Sequence, residues 1–410
     1  MFAAWWQRVG IVYVVLYNLP GPAGLVPGLG ELFERAERWL VVPAGRWLFG
    51  RTLTIFPAGS GDTTYNYVEL VVELALAALI ATGWQIAVRN RAVSPRTRDH
   101  TLMFIRYMLG GTMLSYGWFK LIPTQMPAPG PARLLQTVGD MSPMGLLWTF
   151  MGASLAYQMF AGLAEVLGGV LLFWRRTTLL GALILTGVLL NVVALNFCYD
   201  VPVKLFSMHL LAMALVLVAP HVPRLVNLFL LNRPTVPIEL RPFPAQRVWV
   251  RRTALAAKIL IVLFYAVVPI VMSYQAAGSY GVLAPRHALA GSYRVTAFTR
   301  TRAPEGAPVD DATARWTRLG VDGLGEALMV QRADGTTLRA PLTIDAGRGV
   351  WTFQAPEYGA VRLAYRVAAG GVVTLDGTIG TGPVEIVLTP QDSLLLGRGF
   401  HWINEYPFNR

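Results

Sequence analysis

The sequence predicts an α-helical polytopic membrane protein of about seven spans, followed by an antiparallel β-sandwich or small β-barrel. Three observations carry this expectation. The 410-residue chain is 54% hydrophobic and only 14% charged, against about 25% charged in soluble domains, and its mean hydropathy is +0.47. Several apolar runs reach the roughly 20 residues that cross a bilayer. Beyond position 275, turn signals such as Asp334-Gly335 and Gly370-Gly371 separate short alternating stretches, the pattern of strands joined by glycine turns. An ordinary cytosolic enzyme does not fit this composition.

The spans fall at about 3–20, 65–88, 101–122, 154–174, 177–198, 203–220 and 254–274. They form a transmembrane domain over 1–275, with a β-domain over 276–410. The first apolar run is cut short by Pro20 and Pro22, so a signal peptide is its alternative reading. In the following GELFERAERWLVV stretch, Glu31 and Arg35, and Glu34 and Arg38, pair at i,i+4. This predicts a helix, which Trp39 and Trp47 would lay along the interface. Asp62 and Thr63 supply an N-cap for the second span. The 144–174 stretch is too long for one untilted span, and Ser142-Pro143 starts a short helix before the true span at about 154. In the β-domain, SYRVTAF, GVWTFQ, VVTLDGTI and VEIVLT read as strands, and the aromatic tail GRGFHWINEYPFNR breaks their pattern.

The net charge of +12 is uneven, +11 over residues 1–275 and +1 over 276–410. Loops 89–100, 175–176 and 221–253 hold twelve arginines, including Arg241, whereas loops 123–153 and 199–202 hold only Arg133. By the positive-inside rule the N-terminus is cytoplasmic and the β-domain extracytoplasmic, in a bacterial inner membrane. Excess charge confined to short loops speaks for a lipid bilayer as partner and against nucleic acid. The single cysteine, Cys198, excludes an intramolecular disulfide and a CxxC pair. Of five histidines only His209 lies well inside an apolar run, which argues against bis-histidine haem. No metal-ligand spacing or nucleotide-binding fingerprint is present.

Ionisable groups inside lipid are costly and therefore candidates for chemistry. Glu165 sits mid-span, and its alternative role is a packing salt bridge, for instance with Arg106. Glu69 and Glu73 share one face of the second span, where they either relay protons or are simply wet and paired. Lys120, Asp200, Lys204 and His209 gather near the outer span ends, with Tyr116, Asn196 and Ser207 at similar depth. Together they suggest a polar cavity open outward, although Lys120 alone would snorkel and Asp200–Lys204 alone would be a surface pair. The candidate catalytic set is Glu165, His209 and Lys120. The candidate ligand-binding set is Arg106, Glu73, Asp200 and Lys204, with no metal ligands.

Within 101–220, Arg106-x3-Gly110-x6-Gly117-x2-Lys120, then Gly162-x2-Glu165-x2-Gly168-Gly169 and the Arg175-Arg176 turn, resemble the DoxX/DoxD-like membrane proteins. The resemblance implies a four-helix bundle of spans three to six. It also implies an accessory or redox-linked subunit at the outer face of the membrane, since some relatives belong to a thiosulfate:quinone oxidoreductase. The electron carrier would then be a diffusible quinone or sit on a partner. The near-neutral β-domain and its aromatic tail suit contact with a membrane or extracytoplasmic protein partner. Two alternatives stand beside it: a quinone-linked oxidoreductase in its own right and a small-solute transporter. Whether the chain is catalytic is left open.

Overall fold

A computed structural model describes residues 2–55, 59–89, 91–235, 237, 247–300, 315–356, 359–380 and 382–409. Arg241, Arg410 and part of the 356–359 turn lie outside the described residues. The chain forms two compact units, Met1–Trp118 with Ala161–Ile270, and Phe119–Phe160 with Val271–Arg410.

The helices in chain order are α1 (Phe2–Asn18), α2 (Pro20–Ala23), α3 (Leu29–Phe49), α4 (Thr64–Ala87), α5 (Pro95–Leu121), α6 (Pro131–Leu135), α7 (Pro143–Ala153), α8 (Leu155–Leu172), α9 (Thr178–Cys198), α10 (Lys204–Val218), α11 (Val222–Phe229) and α12 (Val248–Ser279). Among the described residues, five helices are long and apolar enough to cross a bilayer: α4, α8, α9, the continuous Lys204–Phe229 rod of α10 and α11, and α12. These five mark the chain as a membrane protein. The first and third expected spans are helices, but neither is among the five. With 17 residues, α1 is about 26 Å long, short of the ~30 Å hydrocarbon core. In α5, Arg96, Arg98, Asp99, Arg106 and Lys120 dilute the apolar character.

Local signals set several boundaries. At the start of α4, Thr63 Oγ1 accepts from the Asn66 amide at 3.3 Å, and Asn66 Oδ1 accepts from the Thr63 amide at 3.2 Å, a reciprocal capping box. Asp62, expected to share that role, instead caps α10 from another part of the chain. Its carboxylate accepts from the amides of Lys204 at 2.8 Å and Leu205 at 3.0 Å. The long 144–174 stretch breaks at Ser154, and Ser142 Oγ caps α7 by accepting from the Gly145 amide at 3.1 Å. Along α3 the two i,i+4 pairs form at 3.3 Å each on exposed side chains.

Inside the helical unit, α5, α8, α9 and α10 share one apolar core that includes Leu109, Met113, Leu172, Leu185 and Met213. The glycines of α5 and α8 bring two backbones together there. A Cβ on Gly110 would lie 3.1 Å from the Gly169 carbonyl oxygen, and one on Gly117 would lie 2.8 Å from that of Gly162. Such approach without side chains is a recurrent way for membrane helices to pack. Beside this core, α1 lies against α4 through Val9, Ala77 and Ala81.

The second unit contains a closed eight-stranded barrel: β1 (Gly291–Arg300), β2 (Trp316–Val321), β3 (Ala327–Arg332), β4 (Thr337–Asp345), β5 (Val350–Ala355), β6 (Gly359–Val367), β7 (Val373–Ile379) and β8 (Gly382–Pro390). Each strand pairs antiparallel with the next, and β8 closes on β1 through the Phe298–Ile386 register. Of the sandwich and barrel alternatives, the barrel forms. Its strands alternate buried and exposed positions, most cleanly in β4, as a sheet with one packed face requires. The interior is filled by Trp351, Leu319, Leu363, Leu375 and Ile386, each fully buried. At the β3–β4 turn, Gly335 takes φ +85°, a conformation open to glycine at low cost. Asp334 accepts there from the Thr336 amide and hydroxyl at 2.9 and 2.7 Å, and these bonds hold its carboxyl below the usual aspartate range. After β8 the chain forms one short helix, α13 (Leu394–Gly397), and no further strand among the described residues. In this tail Phe400, Trp402 and Tyr406 are exposed.

Candidate functional site

The helical unit holds a cavity of about 620 Å³, lined from α1, α2, α3, α4, α5, α10 and α12 and from the 59–61 segment. Its polar wall is acidic. Glu37 comes from α3, and Glu69 and Glu73 from α4, with Asn18 and Asn66 also in the lining. Glu69 and Glu73 are one turn apart, which puts both on the same helical face. Glu37 joins them because α3 packs on α4 through Val41, Tyr65 and Val68. The Tyr65 hydroxyl donates to Glu37 Oε1 at 2.7 Å and Asn66 Nδ2 donates to Glu69 Oε2 at 3.2 Å.

The cavity is also aromatic. Tyr17, Tyr116, Phe206, His209 and Tyr265 line it, and no Lys or Arg does among the described residues. His209 stacks on Tyr17 with ring centroids 4.0 Å apart and an 11° interplanar angle. Both of its ring nitrogens are occupied. Nδ1 donates to the Leu205 carbonyl at 2.6 Å, and Nε2 is hydrogen-bonded to the Tyr13 hydroxyl. Because the Leu205 carbonyl can only accept, Nδ1 carries a proton, and in the neutral ring Nε2 accepts from Tyr13. His209 therefore presents a ring face to the cavity rather than a lone pair.

Of the residues singled out in the sequence, Glu73 and His209 line this cavity, as do Glu69 and Tyr116. The others are placed elsewhere. Arg106 is buried and donates from Nε and Nη2 to the Leu172 carbonyl at 2.9 and 2.7 Å. It thus meets the negative end of α8, where a cation is favoured. Glu165 is buried at 3% exposure, engaged by neighbours, and close enough for its charge to reach Tyr116. Lys120, also buried and engaged, belongs to the other unit. Lys204 bonds Asp200 at 2.8 Å and approaches Asp62 at 3.7 Å, tying the α9–α10 turn to the α4 start rather than facing the cavity. No group of His, Cys, Asp and Glu among the described residues has the arrangement of a metal site.

Sequence reading missed Glu37, Tyr13 and Tyr17. A signal for Glu37 did exist. Glu31 and Glu34 have arginines four residues on, whereas Glu37 has Val41, which leaves its carboxylate for a partner outside the helix.

No protein-family model matches the chain. It is similar to the uncharacterised protein YwoB of Bacillus subtilis (strain 168), with 42% identity over 72 residues, 18% of this chain and 47% of YwoB. The chain thus spans about half the length of that curated relative. No solved structure matches.

Proposed function

We propose that this membrane protein binds a small organic cation in the cavity of its helical unit and exchanges it against protons, a solute-handling role of transport type. One observation carries the reading: three carboxyl groups and several aromatic rings line the same cavity, with no Lys or Arg lining the space among the described residues. Carboxylates supply the counter-charge, and tyrosine faces attract a cation by about 0.5–2 kcal/mol each. A carboxyl in such a cavity can carry a proton when no cation is bound. An incoming cation would displace it. The arginine-rich loops support a cytoplasmic N-terminus and an extracytoplasmic barrel in a bacterial inner membrane. The shared core of α5, α8, α9 and α10 is compatible with a DoxX-like bundle.

The test is equilibrium binding of tetraphenylphosphonium to the purified full chain across a pH series. Binding should tighten as pH rises and release protons, and Glu73→Gln should weaken it about tenfold, equivalent to ~1.4 kcal/mol. Equal binding of a neutral aromatic of the same size would overturn the reading.

A second reading is favoured by the same carboxylates, which could accept from the two ring hydroxyls of a quinol. The chain would then be the redox-linked accessory subunit that its DoxX-like motifs suggest. Electrons would pass to a partner protein docked through the barrel or its exposed aromatic tail. Retention of a stoichiometric quinol in native mass spectrometry, with no displacement by tetraphenylphosphonium, would select this reading.

A further inference from the structure

The structure assigns a second site, independent of the acidic cavity: a cleft that takes an anionic phosphate group at the arginine-rich end of α1, α4 and α5. The cleft measures about 470 Å³ and is lined by Arg8, Arg89, Arg91, Trp84, Ser94 and Thr97 together with small apolar side chains, and by no Asp or Glu among the described residues.

Arg8 is the anchor. It is only 1% exposed, a position arginine takes rarely unless its charge is paired. Its guanidinium donates to the Ala4 carbonyl at 3.1 Å, to Gln85 Oε1 and to the Arg91 carbonyl, and it stands 5.1 Å from the centroid of the Trp84 ring. All of these partners are neutral. Its Nε–H has no hydrogen-bond partner. A buried cation balanced only by dipoles retains a large part of its desolvation cost, and an anion in the adjoining cleft would remove it.

The rest of the cleft suits phosphate. Arg89 and Arg91 flank it on exposed side chains. Arg89 takes φ +48° just past the C-terminal end of α4, the left-handed position at which helices commonly terminate. The Ser94 and Thr97 hydroxyls, 2.8 Å apart, stand at the start of α5, where the helix dipole adds to the positive field. Planar guanidinium forks with hydroxyl donors between them match tetrahedral oxyanions. The same chemistry is offered by an anionic lipid headgroup and by free phosphate. Basic pockets between membrane helices are known to hold such headgroups.

The purified full chain in phosphatidylcholine nanodiscs distinguishes these sources. In native mass spectrometry, added phosphatidylglycerol should be retained at one copy per chain, and inorganic phosphate should raise the thermal midpoint above that in equal chloride. Retention of the lipid without a response to phosphate identifies the headgroup as the ligand. The converse identifies free phosphate. Because Arg8→Gln could unfold the chain, the discriminating variant is Arg89→Gln with Arg91→Gln, both exposed. It should weaken the responding ligand about tenfold or more while leaving tetraphenylphosphonium binding unchanged. The assignment is overturned if phosphatidylglycerol binds no better than phosphatidylcholine and phosphate no better than chloride, or if the double variant binds as the wild type does.

Discussion

Replacing Gly117 by alanine sets a helical preference directly against a packing constraint. Alanine is favoured over glycine within a helix by about 1 kcal/mol, so on an open helix face the substitution stabilises. At Gly117 the new Cβ would sit 2.8 Å from the Gly162 carbonyl oxygen, 3.0 Å from the Val166 amide nitrogen and 2.5 Å from Val166 Cγ2. The valine methyl could rotate, but the two backbone atoms cannot move without shifting α5 and α8 apart. Overpacking of this kind costs roughly 1–3 kcal/mol, and the separation also opens the Gly110–Gly169 contact seven residues away, where a Cβ added to Gly110 would lie 3.1 Å from the Gly169 carbonyl oxygen. We expect a net loss of up to about 2 kcal/mol, after subtracting the helical gain from the packing cost. Gly83→Ala in α4 is the control, since nothing lies within 4 Å of its added Cβ, and it should be neutral or stabilising by up to ~1 kcal/mol. Unfolding of both variants in mixed micelles, followed by tryptophan fluorescence, gives the two signs side by side. If Gly117→Ala were as stable as Gly83→Ala, the close α5–α8 approach would not hold the bundle together, and the packing argument would fail.

Two further substitutions probe other parts of the chain. Asp62→Ala removes a carboxylate that serves two α10 amides and approaches Lys204. A lost N-cap costs ~1–2 kcal/mol, and hydrogen exchange should rise at Lys204 and Leu205 before it rises elsewhere in α10. A uniform rise would refute a local cap. Trp351→Ala empties the largest fully buried side chain of the barrel and should destabilise it by ~3–5 kcal/mol, read as a lowered barrel transition in calorimetry. An unchanged transition would show that the barrel interior is not close-packed around this ring.

The glycine turns between β3 and β4 and between β6 and β7, the Ser142-Pro143 start of α7 and the paired charges of α3 were legible in sequence because each depends on neighbours a few residues away. What escaped sequence reading depends on contacts between distant positions. Tyr13 and His209 meet across 196 residues and Asp62 and Lys204 across 142, and no local pattern distinguishes Asp62 as the cap of α10 from Asp62 as the cap of α4. The site was half visible for the same reason. Glu69 and Glu73 declare themselves by charge within an apolar run, and His209 stands out similarly. Their aromatic wall consists of tyrosines that local sequence cannot separate from ordinary packing residues. Arg106 shows the reverse case: a charge within an apolar run, conspicuous in sequence, that fastens a helix end.

Closure of the barrel has a consequence for how the chain is made. β1 and β8 are neighbours in space, with Thr296 and Val387 hydrogen-bonded across 91 residues, so the first strand synthesised waits for the last. Until β8 arrives, β1 and β7 both present unpaired edges, and open edges invite pairing with other chains. Contacts of such long sequence separation also form slowly, because the loop entropy must be overcome before any bonding compensates. A growing chain therefore carries an incomplete sheet through most of the synthesis of its C-terminal third. Truncation just before Gly382 would leave that vulnerable intermediate permanently, with seven strands and nothing to seal them.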